Sequence, residues 1–203
     1  MKRLILLILV FIMLISVSTA LSEGQNAGTG WEQFGLPQTT STPAPNAFRF
    51  RDGIRWGMNK TQIQALETEP MIERSMQNWS IMKVDGKVAV SRFTADLVFM
   101  FHDDQLMMII YEFPQGTPES FQYLSGALGS LYGEQKEAEP LKIKALMDTV
   151  NPNYYSTEMI SPSVEWTNAD GTIIYLYRYS ASDFAIMYVS PELGSRIYQT
   201  NGL

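Results

Sequence analysis

The chain has no cysteine, which excludes disulfides, thiolate metal sites, cysteine nucleophiles and lipid attachment to a cysteine behind an export signal. It has one histidine, His102, so the imidazole pairs of most metal centres are excluded, and any hydrolytic triad would depend on that residue. No serine stands in a Gly-x-Ser-x-Gly elbow. Only 18% of residues are charged, and acids outnumber bases 21 to 15, a balance that repels phosphate backbones and argues against a nucleic-acid partner. No second long apolar run follows the first two dozen residues.

What is present is an export layout. Lys2 and Arg3 precede the apolar run Leu4 to Val17, broken only at Ser16, and small residues then offer cleavage after Ala20 or Ser22. Residues 1–22 therefore read as a signal peptide, and the protein as exported, secreted or associated with the cell envelope. The alternative is an uncleaved anchor, because extending the run to Leu21 gives 18 residues, close to a bilayer span. The membrane is expected as a partner only in that case. Removing the signal leaves 13 basic against 21 acidic residues. Residues 23–47 turn to Gly, Asn, Gln, Thr, Ser and Pro and read as a flexible tether, since they cannot bury enough apolar surface to offset their ordering entropy.

Residues 48–203 read as one domain. Phe48 to Arg51 alternates apolar and basic residues, as in a short edge strand. Asn59-Lys60-Thr61-Gln62 is a capping-box variant that starts a short helix, with Ile63 and Leu66 on its buried face and Pro70 as its stop. Asp85-Gly86, between Trp79–Val84 and Lys87–Thr94, predicts a type I′ hairpin with Trp79 opposite Arg92 and Ile81 opposite Val90. Asp103-Asp104-Gln105 joins a second hairpin whose strands are apolar on both faces. One face is assigned Leu97, Phe99, Phe101, Leu106, Met108 and Ile110, the other Val98, Met100, Met107, Ile109 and Tyr111. Both sides of such a sheet require cover. Thr117-Pro118 starts a second helix with Phe121, Leu124, Leu128 and Leu131 in one stripe. Gly126 and Gly129 would allow that helix to pack closely, and Gly133 ends it. Residues 134–161 form an excursion with a short helix at 141–150, placed as a lid on one sheet face. Val164–Thr167, Thr172–Tyr179 and Phe184–Ser190 are three further strands.

Phe99–Pro114 aligns without gaps to Leu176–Pro191, matching Ile109-Ile110-Tyr111 to Ile186-Met187-Tyr188. A Trp followed by an Asp-Gly turn also recurs, at Trp79 with Asp85-Gly86 and at Trp166 with Asp170-Gly171. The expected fold class is α+β, with helices packed on a twisted antiparallel sheet built from two degenerate units of about 48–114 and 115–203. The segment Ile54-Arg55-Trp56-Gly57-Met58-Asn59-Lys60-Thr61-Gln62-Ile63-Gln64-Ala65-Leu66 resembles the opening of the helix-plus-meander modules of exported proteins. These are of two types: the small lipoprotein of the outer-membrane β-barrel assembly machinery, and the β-lactamase inhibitory protein, which carries two modules in tandem. The segment also resembles the start of exported proteins of gut bacteria. The chain departs from both types in having no cysteine to lipidate or to staple. The resemblance implies a module that binds another macromolecule and catalyses nothing.

His102 with Asp103 and Asp104 is the only local cluster with ligand chemistry, and three neighbours on a turn rarely converge on one ion. Glu67 with Glu69, and Glu134 with Glu137 and Glu139, have the composition of paired carboxylates but read as solvated surface. No catalytic, metal or cofactor-binding residue is assigned, and no cofactor is expected. Tyr175, Tyr177 and Tyr179 alternate along one strand, and Phe184, Ile186 and Tyr188 are placed on the same side of its neighbour. Tyr175, Tyr177, Tyr179, Phe184 and Tyr188 are the candidate interface, unless the excursion covers them. The expectation is a non-enzymatic binding module that contacts an envelope or extracellular protein through a sheet face or the 134–161 excursion. Its alternative is a secreted hydrolase-like or carbohydrate-binding protein with a site under that excursion.

Overall fold

Two capping boxes start the helices that the sequence predicts. Asn59 Oδ1 accepts from the Gln62 N–H at 2.9 Å while Gln62 Oε1 accepts from the Asn59 N–H at 2.9 Å, opening α1 (Lys60–Leu66). Thr117 and Ser120 do the same for α2 (Pro118–Tyr132), which Gly133 ends at φ +87°. Phe121, Leu124 and Leu128 are buried, but Leu131, expected in the same stripe, is 73% exposed. A Cβ added at Gly126 or Gly129 would meet nothing within 4 Å, so close packing is not why these glycines are there. The structure, a computed structural model, describes residues 50–76, 78–150 and 160–200, all within the unit Pro43–Leu203. The signal peptide and the tether lie outside the described residues. Phe50 belongs to no strand. Arg51–Gly53 form a 3-10 turn, and Phe50 packs edge-on against Phe99 at 6.1 Å and beside Tyr111 at 5.5 Å.

The remaining elements build one antiparallel sheet of nine strands, bearing out the α+β class. They are β1 (Met71–Met76), β2 (Trp79–Val84), β3 (Val88–Val90), β4 (Phe93–His102), β5 (Gln105–Phe113), β6 (Lys136–Glu137), β7 (Ile160–Thr167), β8 (Ile173–Arg178) and β9 (Phe184–Val189). Their order is β1-β2-β4-β5-β9-β8-β7-β6, with β3 paired to β4. Helices α3 (Pro140–Val150) and α4 (Pro191–Thr200) complete the domain. The sequence reading omitted β1, β6 and α4.

The predicted Asp85-Gly86 hairpin does not form. Lys83 pairs with Val98 and Val88 with Ala95, so β2 and β3 run in the same direction along one edge of β4, as a single strand interrupted by Asp85-Gly86-Lys87 opposite Asp96. A type I′ turn needs positive φ at both central residues, and of these two only Gly86 has it, at +119°. The chain reverses instead at Ser91-Arg92, where Ser91 takes φ +55°. Trp79 consequently lies opposite His102 and Ile81 opposite Met100, rather than Arg92 and Val90. The β4–β5 turn is the one with paired left-handed residues, Asp103 at +49° and Asp104 at +61°, and His102 pairs with Gln105 across it.

That turn and a bulge at Met107 decide which side chains share a face. Phe101 pairs with Leu106 but Met100 with Met108, leaving Met107 unpaired in the ladder. Val98 and Met100 therefore share a face with Met108 and Ile110, while Leu97 and Phe99 share theirs with Tyr111 and Ile109, correcting the cross-strand half of the predicted assignment. Met107 and Met108 both enter the buried cluster with Ile143, Leu146 and Met147 of α3 and Leu193 of α4. The opposite face packs against α2, with Phe121 edge-on to Phe184 at 5.6 Å. Both faces of the central strands are covered, as their two-sided hydrophobicity requires.

Sheet order is symmetric about the β5–β9 junction. Ile110 lies opposite Met187, Ile109 opposite Tyr188 and Tyr111 opposite Ile186, so the stretches that align in sequence meet around a local two-fold axis between Ile110 and Met187. The Trp and Asp-Gly matches do not follow that symmetry. Trp79 lies in the cluster under α3, whereas Trp166, opposite Ile174, lies on the other face. Asp170-Gly171 is a true β7–β8 turn, unlike Asp85-Gly86.

Candidate functional site

The tyrosine row is interior. Tyr175 pairs with Met187 and Tyr177 with Ala185, so these four side chains share the α3 face, and the two tyrosines are 1% and 0% exposed. Tyr179 is partly buried against the same cluster. Phe184 and Tyr188 fall on the opposite face, at 2% and 8% exposure, because Phe184 pairs with Arg178 and Tyr188 with Ile174. The prediction that all five residues share one surface is thus corrected by register, and the excursion's helix covers the tyrosines. Phe184 stacks on Phe113 at 4.8 Å. Tyr188 hydrogen-bonds the Tyr132 hydroxyl, and burial pushes its phenol well above the usual 10.0.

His102 is held structurally. Its ring meets Trp79 edge-on at 5.1 Å, and Nδ1 lies 3.2 Å from Asp103 Oδ2. No group of three metal-ligating side chains occurs among the described residues. Glu134, Glu137 and Glu139 are exposed as expected, whereas Glu67 is not the solvated carboxylate that the sequence reading made it. Arg51 grips it with both arms, Nε to Oε1 at 3.1 Å and Nη2 to Oε2 at 2.5 Å, and the Glu67 side chain is 2% exposed. This bidentate pair ties the 3-10 turn to the end of α1 and occupies both oxygens, leaving neither free for acid or base work.

The pair forms one wall of a half-open polar cleft of about 350 Å³, lined also by Glu69, Asp85, Gly86 and Lys87. Its far wall is the interruption between β2 and β3, so the misread Asp-Gly segment shapes a concavity instead of a turn. Lys87 Nζ lies 2.7 Å from Asp96 and Lys83 Nζ 3.4 Å from the same oxygen, which fixes that wall. Most ligand pockets are apolar with a few polar anchors, and this cleft has the reverse lining.

Beside the cleft, the chain leaves Pro70 into β1, the outer strand of the first half. The Asp85 N–H donates to the Pro70 carbonyl at 2.7 Å, and antiparallel alternation from that pair turns the backbone of Ile72, Arg74 and Met76 toward β2. The N–H and C=O groups of Met71, Glu73 and Ser75 therefore point away from the sheet. Residues Ile72 to Ser75 are all exposed. Neither this strand nor the cleft carried a sequence signal, because β1 lacks the alternation that marks half-buried strands. Compared with known proteins, the chain matches no protein-family model, no curated protein and no solved structure.

Proposed function

We propose that this protein is an exported, non-enzymatic binding module, and that its contact surface is the β1 side of the sheet with the adjoining cleft. The observation that supports this reading is the contrast between central strands covered on both faces and a six-residue outer strand that, among the described residues, nothing pairs on its far side. Of the two surfaces named from sequence, a sheet face or the 134–161 excursion, the faces of the central strands are packed by helices, which favours the β1 side instead. The partner class is an envelope or extracellular protein, reached from outside the cytoplasm by a chain that carries an export signal and a tether. The hydrolase-like or carbohydrate-binding alternative has less support. Ile143, Leu146, Met147 and Val150 fill the space between α3 and the tyrosines, and Glu67 is occupied by Arg51.

Photo-crosslinking in envelope preparations of the producing cell tests this, with the probe placed in turn at Ser75, Asp85, Tyr123 and Leu141. The expected result is one discrete adduct from at least one position, abolished by excess unlabelled protein. No competed adduct from any position would refute the module reading.

A further inference from the structure

We propose, building on the binding-module reading, that β1 is a strand-addition site: an extended segment of a partner protein pairs antiparallel with its outer edge, unpaired among the described residues, and extends the sheet. Three observations carry this. The edge presents outward backbone groups at every second residue, Met71, Glu73 and Ser75, so an incoming strand meets a ready ladder. The strand is six residues long and pairs with β2 along its whole length, so the template is already extended. Its side chains form a complementarity code. On the α3 face, Arg74 is exposed without an ion-pair partner among the described residues, between Ile72, which is 51% exposed, and Met76, which is packed on the core. On the other face stands Glu73, whose only described ion pair is with Lys60 at 2.7 Å.

Directly opposed side chains in an antiparallel pair share a face and interact, opposite charges favourably. The added segment therefore carries an acidic residue across from Arg74, a basic one across from Glu73 and an apolar one across from Ile72. Read from its own N-terminus, that is the order acidic, basic, apolar. A second copy of this chain is the less suitable occupant. A two-fold axis relating two antiparallel edge strands preserves faces, so residues of equal parity must oppose each other. Centring the pair on β1 then sets Glu73 against Glu73 or Arg74 against Arg74, and like charges directly opposite repel.

The test uses the purified chain and a blocked peptide of alternating threonine and valine with the central order Glu-Lys-Val, against a control peptide with Lys-Glu-Val. Amide hydrogen exchange should slow on binding at Met71, Glu73 and Ser75 and stay unchanged at Ile72, Arg74 and Met76, a period-two pattern that a side-chain contact does not produce. Ser75→Pro removes an outward donor without touching the β2 ladder, and should weaken binding by about tenfold or more while the protein stays folded. Arg74→Glu supplies a second variant, which should reverse the preference between the two peptides. Uniform or absent exchange protection, or unchanged binding by a folded Ser75→Pro variant, would overturn the proposal. So would a concentration-dependent dimer that protects the same three amides, since the occupant would then be a second copy. A competed crosslink at Tyr123 or Leu141 with none at Ser75 would leave the module reading standing and remove strand addition alone.

Discussion

The two halves of the sheet reach their outer edges differently. The first half ends in β1, a six-residue strand whose outer edge is unpaired among the described residues, whereas the second ends in β6, only Lys136 and Glu137, after which Pro140 begins α3. A two-residue charged edge is how folded proteins usually blunt the tendency of strands to pair with strangers. The same half also carries α3 across the sheet, and under it the buried rings of Tyr175 and Tyr177. One outer edge is thus cut short beside a helix, while the other leaves a full strand unpaired on one side among the described residues.

The largest effect should separate covered from open apolar residues. Leu146 of α3 is 2% exposed among Met107, Tyr175 and Met187, and Leu146→Ala should cost ~2–5 kcal/mol in denaturant unfolding. Ile72→Ala on β1 should stay within ~0.5 kcal/mol, since half its surface is already in water. Equal losses in the two variants would mean that β1 is covered in solution and the comparison is wrong.

Legibility in the sequence followed the same division. The Asn59 capping box, the Thr117-Pro118 helix start, the β4–β5 hairpin, the three strands near the C-terminus and the lid helix rest on local chemistry or strong periodicity, and the structure places them where expected. Met-Ile-Glu-Arg-Ser-Met shows no period because β1 is exposed on both faces, and two-residue β6 is too short to show one. The Asp85-Gly86 hairpin failed through tertiary contact. At the competing turn, Arg92 lies 4.0 Å from the centre of the Tyr123 ring and the Ser91 hydroxyl 3.1 Å from that of Tyr123, so α2 holds the reversal at Ser91. Such a contact joins residues 32 apart, out of reach of any turn rule. The tyrosine row failed by one residue of register, enough to send Phe184 and Tyr188 to the opposite face.

A second prediction probes the junction that closes the second half. A Cβ at Gly116 would lie 2.1 Å from Cε1 of Phe184, a ring held between Phe113 and Phe121 and unable to swing aside. Gly116→Ala should destabilise by ~1–3 kcal/mol, the usual cost of overpacking, and a neutral result in thermal unfolding would show that the ring moves freely. A third change should act in the opposite direction. Gly126 is exposed within α2 with open space where its Cβ would stand, so Gly126→Ala should stabilise by ~0.5–1 kcal/mol. Destabilisation would mean that something packs on that helix face in solution.

The smallest expected effect compares the equivalent turns of the two halves. At the β4–β5 turn Asp103 is 70% exposed, and among the described residues its ion-pair contact is with His102. At the β8–β9 turn Asp183 accepts from the Ser180 hydroxyl at 2.6 Å and from the Gln115 N–H at 2.9 Å, tying the hairpin to the approach of α2. Those hydrogen bonds, the Ser180 hydroxyl foremost, hold the Asp183 carboxyl below its ordinary 3.8. A carboxyl lowered in the folded state binds its proton more readily when unfolded. Its contribution is therefore complete above the unfolded value and fades as pH falls through the folded one. The site is largely solvated, so the stake is a few tenths of a kcal/mol, about the size of a screened surface interaction. Asp183→Asn should leave a flatter acid limb in stability measured from pH 6 down to pH 2, roughly the window that spans both values. An acid limb as steep in Asp183→Asn as in the parent would show that these hydrogen bonds do not fasten the second turn.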